Sequence, residues 1–491
     1  MTATESRTDY EATIGLEIHA ELSTATKLFC GCLNEFGAEP NTHVCPVCLG
    51  LPGSLPVVNE RAVELVLRFA EAVNLRVPER SIFARKNYFY PDMPKDYQIS
   101  QYEEPITVDG SIEIDGHRIG IERAHLEEDT GKTIHVGGGG RIHEANYSLV
   151  DYNRAGVPLM EIVSRPDIRN AEEARAYAIE VRATLLAVGA SDVKLEEGSM
   201  RVDANVSVRP RGASELGVKV EIKNMNSLRS LGRAIDYEIE RQTAALESGE
   251  RVVQETRHWD EADGRTHSMR TKEGSSDYRY FPEPDLVPLA PTAEMIERVR
   301  AGMPELPAAR RARLASAWAL NDAEARVLVA TPGLAEYAEA AVDALHAGTA
   351  HDVVNWCVGD VLAHLNETGL SVEVVPLPPD GLAELVGLVA DGSLSRNQAK
   401  DVLAECLREA KRPKQVVEAR GLTQVSDEAE LANVIDAILA ENPADAEEYR
   451  TGDDKVRKKK RGFFMGEAMK ATRGQGNPQV LTRLLEERLD S

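Results

Sequence analysis

A chain of 491 residues is too long for one hydrophobic core, and at roughly one domain per 100 to 200 residues it divides into two to four units. Its 57 Lys and Arg against 81 Asp and Glu leave a net charge of −24, which excludes attraction to nucleic acid or anionic membranes through the field of the whole protein. No apolar window of about eighteen residues offers a membrane span, and no basic start followed by an apolar run opens the chain, so a cytoplasmic protein without disulfides is expected.

Period-two stretches dominate up to about residue 290. In TIGLEIHAEL (13–22), Ile14, Leu16, Ile18, Ala20 and Leu22 alternate with Gly15, Glu17, His19 and Glu21, the pattern of a half-buried strand. Helical periodicity follows at 59–74. IEIDGHRIGIERAHLEED then reads as a hairpin turning at Asp115-Gly116. Further helices are expected at 171–188 and 227–247, with strands RVDANVSVR (201–209) and VKVEIKN (218–224) between them. These strands turn Val202, Ala204, Val206, Val208, Val218, Val220 and Ile222 inward and leave Arg201, Asp203, Asn205, Arg209, Lys219, Glu221 and Lys223 on the other face. The expected class is α+β, on an antiparallel sheet with a charged polar face. After YFPEPDLVPLAP (280–291) nearly every segment is helical by pattern, and KRPK (411–414) marks a second seam.

Cys30, Cys32, Cys45 and Cys48 form C-x-C-x12-C-x2-C, two close pairs with enough chain between them to face one another. Four thiolates so arranged suit a closed tetrahedral zinc site, which organises structure and performs no chemistry. The competing redox reading rests on Cys45-Pro46-Val47-Cys48, but the second pair has no role in a thioredoxin-type motif. Cys357 and Cys406 lie in apolar helical contexts and read as buried hydrophobes.

Chemistry is therefore sought elsewhere. Glu17 and His19, two apart on a strand, project from one face about 7 Å apart. HLEEDTGK (125–132) adds three consecutive acids, and Glu161 stands within the apolar run PLMEIVSRPD, where a bare carboxylate is costly without a cation. Singly, each reads as a surface acid; together they describe an oxygen-rich site with one imidazole, suited to magnesium or manganese. Gly131-Lys132-Thr133 is not a phosphate-binding loop, because Leu126 occupies the position of its first glycine. Lys86, Lys95, Arg270, Lys272 and Arg279, in basic and aromatic stretches, are candidates to counter phosphate charge, with ordinary loop charge as the alternative. KVRKKKR (455–461) is either a solvated segment or a local nucleic-acid patch.

IGLEIHAEL, RKNYFYPDMPKDYQISQY, HLEEDTGK, SLVDYNRAGVPLMEIVSRPDI, LEEGSMRVDANVSVRP, EIKNMNS, DYRYFPEPDLVPL and GFFMGEAMKATRGQGNPQ together resemble the B subunits of aspartyl/glutamyl-tRNA amidotransferases, from about residue 10 to 490. The resemblance implies an α+β cradle domain built on an antiparallel sheet (1–293), then an all-α helical domain (294–411) and a YqeY-like tail domain (412–491). It implies a heterotrimer with two partners, an amidase (the A subunit) plus a small protein (the C subunit), and ATP-dependent amidation of mischarged Glu-tRNA(Gln), Asp-tRNA(Asn) or both. By motif, Glu17, His19, Glu128 and Glu161 would hold or neighbour the magnesium, with Glu127 competing for the place of Glu128. Lys86, Asp203 and Lys223 are carried over to the substrate pocket or the ammonia path. Lys455, Arg457, Lys458, Lys459, Lys460 and Arg461 would touch the tRNA body. The zinc knuckle occurs in only some members, so zinc assists shape. The Gly-rich stretch at 137–140 has no assigned role. Rival readings are a nonenzymatic zinc-bearing RNA-binding scaffold and a stand-alone metal hydrolase; no Ser-Lys amidase signature is visible.

Overall fold

The computed structural model describes residues 9–137, 145–195, 197–271, 278–422, 428–472 and 476–490. The chain divides into two compact units, residues 1–307 and 308–491.

The first unit is organised by an eight-stranded sheet. Its long strands are β1 (Tyr10–Glu21), which pairs on one side with the strand Pro158–Ser164 and on the other with Met200–Pro210, both antiparallel. In chain order the remaining strands are β2 (Ala84–Asn87), β3 (Tyr97–Ser100), β4 (Thr107–Ile114), β5 (His117–Glu128), β6 (Lys132–Val136) and β7 (Tyr147–Asp151). There follow β8 (Pro158–Ser164), β9 (Met200–Pro210), β10 (Val220–Lys223), β11 (Glu255–Asp260), β12 (Arg265–Thr271) and β13 (Phe281–Pro282). The large sheet runs β12-β11-β10-β9-β1-β8-β5-β4, with β13-β2-β3 as a three-stranded sheet and β6-β7 as a separate pair. The β10–β11 pairing is parallel and the other pairings of the large sheet are antiparallel.

Alternation decides which face is covered. Ile14, Leu16, Ile18, Ala20 and Leu22 are all at most 1% exposed. They join one apolar core with residues of helices α1 (Glu60–Ala72), α2 (Ala171–Ala187), α3 (Leu228–Glu247) and α4 (Ala293–Ala301). The first three helices open where side chains of Asn59, Asn170 and Ser227 accept hydrogen bonds from free N–H groups of the first turn. The β4–β5 hairpin turns at Asp115 and Gly116, with φ of 52° and 77°, the backbone a two-residue primed turn requires. One expectation differs: β10 begins at Val220, paired with Val206, and Val218 lies before the ladder with 45% of its surface exposed.

The compact first unit extends past residue 293 to Pro307, because Val299 of α4 is buried in its core and Arg300 pairs with Glu71 of α1. The second unit is built from helices around two separate apolar cores, one from Leu314 to Val417 and one from Leu431 to Leu489. Helix Pro413–Arg420, which begins within the KRPK seam, buries Val416 and Val417 in the first of these cores, so the seam does not separate the two cores. No helix is long and apolar enough to cross a membrane among the described residues.

Candidate functional site

With its apolar face covered by helices, the sheet presents its polar face to a cavity of about 650 Å³. Strand register builds the site there. His19 of β1 stands opposite Glu161 of β8, which stands opposite His125 of β5. His19 Nε2 lies 3.6 Å from Glu161 Oε2 and 3.7 Å from Glu127 Oε1, and His125 Nε2 lies 3.4 Å from Glu161 Oε2. Ser100 Oγ of β3 donates to Glu127 Oε2 at 3.1 Å and so orients that carboxylate.

The cluster is built for positive charge. Burial alone would lower the His19 pKa, but the hydrogen bond and charge of Glu161 and the charges of Glu127 and Asp203 push it up to about 9. Burial opposes ionisation of Glu161 too, yet His125, His19 and Lys86 hold its carboxyl well below the usual carboxylate range. Burial pushes the imidazole of His125 down. Lys86 is likewise disfavoured as a cation by burial, and Glu127, Tyr280 and Glu161 hold its ammonium above the ordinary lysine value. One donor atom each from His19, Glu127 and Glu161 lies within 4.8 Å of the others, so an imidazole and two carboxylates fit a hard divalent ion that keeps its other positions for water or substrate oxygen.

A second acidic group adjoins the first. Glu17, Asp203 and Glu221 also bring donor atoms within 4.8 Å of one another. Lys223 Nζ sits 2.7 Å from Asp203 Oδ2 and 3.3 Å from Glu221 Oε1, and Asn205 Nδ2 donates to Glu17 Oε1 at 2.9 Å. Asp129, ion-paired to Arg201 at 2.9 Å and to Arg154 at 3.5 Å, completes the cavity wall beside Glu127.

The structure brings His19 and Glu161 together but substitutes Glu127 for the expected Glu128. The alternation of β5 is the reason: His125 and Glu127 share the polar face, whereas Glu128 follows Leu126 to the other side and pairs with Lys95. Lys95 is 6% exposed, and its charge is matched by that of Glu128. Glu17 lies with Asp203 and Glu221 rather than in the His19 group. Lys86, Asp203 and Lys223 all line the cavity. Arg279 is exposed at a φ of 45°, and its carbonyl accepts from Asn87 Nδ2 at 2.8 Å. Arg270 lies on β12 opposite Thr256; its side chain, Lys272 and residues 138–140 of the Gly-rich stretch fall outside the described residues. Sequence patterning does not single out His125, Asp129 or Glu221, although His125 and Glu127 repeat on β5 the spacing of two seen for Glu17 and His19.

The four sulfurs of Cys30, Cys32, Cys45 and Cys48 lie within 4.8 Å of one another. Cys45 Sγ and Cys48 Sγ are 3.9 Å apart, near the about 3.8 Å that sulfurs at about 2.3 Å from a tetrahedral zinc require. The backbone N–H of Cys45 donates to Cys48 Sγ at 3.1 Å. The donor set and geometry fit zinc.

The basic stretch 455–461 lies on the helix Asp454–Ala471. Lys460 is tied to Asp445 and Glu448, Arg461 to Glu486, and the Arg457 guanidinium lies 5.6 Å from the centre of the Tyr449 ring. Lys455, Lys458 and Lys459 are exposed.

Residues 12–297 match the family model described as the GatB/GatE catalytic domain, and residues 336–489 match the one described as the GatB domain. Fold, site and matches define a GatB/GatE-type catalytic cradle followed by a GatB-type helical region. Proteins named as the B subunit of aspartyl/glutamyl-tRNA(Asn/Gln) amidotransferase match along their whole length. The one from Moorella thermoacetica is 53% identical, over 98% of this chain and 100% of its own. Those from Thermosynechococcus vestitus and Persephonella marina are 50% and 48% identical, over 98% of this chain and 97% and 100% of theirs. The chain belongs to the GatB family of amidotransferase B subunits.

Proposed function

We propose that this chain amidates the side-chain carboxylate of Glu-tRNA(Gln), Asp-tRNA(Asn) or both, using ATP. The names of its relatives support the tRNA substrate class and, because they denote one subunit of an amidotransferase, work within a larger assembly. In this reading the amidase partner (the A subunit) supplies ammonia, the small C subunit makes up the heterotrimer, and the assembly acts in the cytoplasm.

The observation that carries the reading is the meeting of His19, Glu127 and Glu161, from three strands, at a cavity that also holds the Lys86 ammonium. A carboxylate is a poor acyl donor at neutral pH. Transfer of the γ-phosphoryl group to one of its oxygens releases ADP; ammonia then adds to the carbonyl carbon, and the carbon–oxygen bond breaks as phosphate leaves with that oxygen. A magnesium or manganese ion held by His19, Glu127 and Glu161 would neutralise charge on the phosphate oxygens.

The chain's own residues supply the rest. His125 fixes the carboxylate of Glu161, and Ser100 that of Glu127. Lys86 offers a permanent cation to the transferring group, with Arg270, Lys272 and Arg279 as further candidates to meet ATP or substrate. Glu17, Asp203 and Lys223 flank the substrate pocket or the path of ammonia. The knuckle binds zinc structurally, and the exposed lysines of helix Asp454–Ala471 meet the tRNA body.

The test follows one oxygen. With the substrate carboxylate carrying ¹⁸O, the reconstituted heterotrimer with ATP and glutamine is expected to release phosphate bearing one ¹⁸O per amide formed, and free ammonium should replace glutamine when the amidase partner is omitted. Amide formation with unlabelled phosphate would overturn the mechanism.

A further inference from the structure

Glu128 stands apart from the His19 group, yet it is 2% exposed, and so buried a charge needs an account. Its carboxylate is met by Lys95 Nζ and by the N–H of Ile99, whose nitrogen is 2.9 Å from Oε1. Its backbone carbonyl accepts from Gln98 Nε2 at 2.7 Å. The next residue of β3, Ser100, holds Glu127. One short strand thus grips both neighbouring carboxylates, one on each side of β5.

The four-cysteine knuckle closes over this pair. Gly50, at a φ of 67°, packs so tightly on the Lys95 stem that a Cβ there would lie 2.4 Å from Lys95 Cγ. Gly156, at a φ of 86°, is the meeting point of three groups: a Cβ would lie 3.5 Å from Cys48 Cβ, 3.6 Å from Lys27 Cδ and 3.8 Å from Glu128 Oε2. Lys27, fully buried, donates through Nζ to the carbonyls of His43 at 2.7 Å and Tyr152 at 3.2 Å, stitching the knuckle to the segment before Gly156. Gly156 in turn donates to the Asp129 carbonyl at 2.9 Å, and its own carbonyl accepts from Leu28. Gly156 therefore lies between the Cys48 side chain and the end of β5, to which its hydrogen bond to Asp129 ties it.

We infer that Glu128 is a positioning residue through which the four-cysteine knuckle sets the Glu127 carboxylate in the His19 cluster. Burial between Lys95, Gly156 and the Ile99 N–H anchors the end of β5 in one register and one twist, and Glu127, the adjacent residue, inherits its direction. The inference rests on the proposed reading that Glu127 serves the amidation site. Groups hydrogen-bonded directly to a metal ligand change affinity or activity by about 10- to 100-fold when altered, and Glu128, one peptide away from Glu127, is expected at the low end of that range.

The experiment measures Mn²⁺ binding by electron paramagnetic resonance on the full heterotrimer without ATP or tRNA, beside amidation kinetics, zinc content and thermal melting. Glu128→Gln is expected to keep its zinc and melting temperature, to bind Mn²⁺ about tenfold more weakly, and to lose about tenfold in kcat with KM for aminoacyl-tRNA unchanged. The unsubstituted heterotrimer stripped of zinc by a chelator should show the same loss of Mn²⁺ affinity. If Glu128→Gln does not fold, the uncharged pair Lys95→Met with Glu128→Gln replaces it. Undiminished Mn²⁺ affinity and kcat in the folded variant overturn the inference, as does undiminished affinity after zinc removal. Glu127→Gln is the control: if it binds Mn²⁺ as the parent does, the proposed site has failed, not the link to the knuckle.

Discussion

His19 and Glu161 face one another across the β1–β8 ladder, with His19 Nε2 and Glu161 Oε2 3.6 Å apart. Residues far apart in the cradle's sequence are thereby made neighbours, and Glu161, in a largely apolar strand, acquires the cations that its burial demands.

Replacing Glu161 by Gln keeps its shape and removes its charge. In the reconstituted heterotrimer, amidation is expected to fall by about a hundredfold or more, while tRNA affinity in a filter-binding assay changes by less than about twofold. Equal loss of binding and turnover would instead favour a scaffold role.

Metal analysis of the purified chain should find about one zinc per molecule. Cys45→Ser with Cys48→Ser is expected to release it, and a zinc content unchanged by the double substitution would refute the knuckle.

The six thiols should separate by reactivity. Burial pushes the pKa of Cys357 up to about 12 and of Cys406 up to about 11, so at pH 8 about one molecule in a thousand or fewer carries either thiolate. After chelation, iodoacetamide followed by mass spectrometry is expected to mark Cys48, whose thiol the hydrogen bond from Cys30 and the charge of Lys27 bring down to about 5, well before Cys357 and Cys406, which are fully buried. Labelling of the pair should rise with pH, because the thiolate is the nucleophile.

Ile18 is fully buried at the centre of β1, and Ile18→Ala is expected to cost about 3 kcal/mol in denaturant unfolding, within the range for such truncations. Val218→Ala, outside the ladder and exposed, should change stability by less than about 0.5 kcal/mol.

On the helix Asp454–Ala471, charge reversal at Lys458 and Lys459 is expected to weaken tRNA binding and flatten its salt dependence, by about 0.7 to 0.9 in logarithmic slope for each phosphate no longer neutralised. Lys460→Glu should lower the melting temperature as well, because Lys460 holds Asp445 and Glu448.

The cysteine spacing, the Glu17 and His19 face and the turn at Asp115-Gly116 are legible in the sequence because each depends on residues a few positions apart. The same locality misleads at Val218, where alternation continues beyond the paired strand, and among the consecutive acids 127–129, where composition alone favours no member. His125 is readable in principle, since His-Leu-Glu on β5 mirrors Glu-Ile-His on β1. Lys95 is not, for nothing nearby in the chain announces that Glu128 takes its charge.

Local order along the chain establishes which side of each strand is polar, where the helices that cover the other side lie and which four thiols could share an ion, because side-chain direction repeats every two residues in a strand and every 3.6 in a helix. Folding had to settle that Glu127 rather than Glu128 joins His19 and Glu161, and that Glu17 lies with Asp203 and Glu221. Those choices depend on ladder register between strands distant in the chain and on packing beneath the cysteine knuckle, which no local pattern carries.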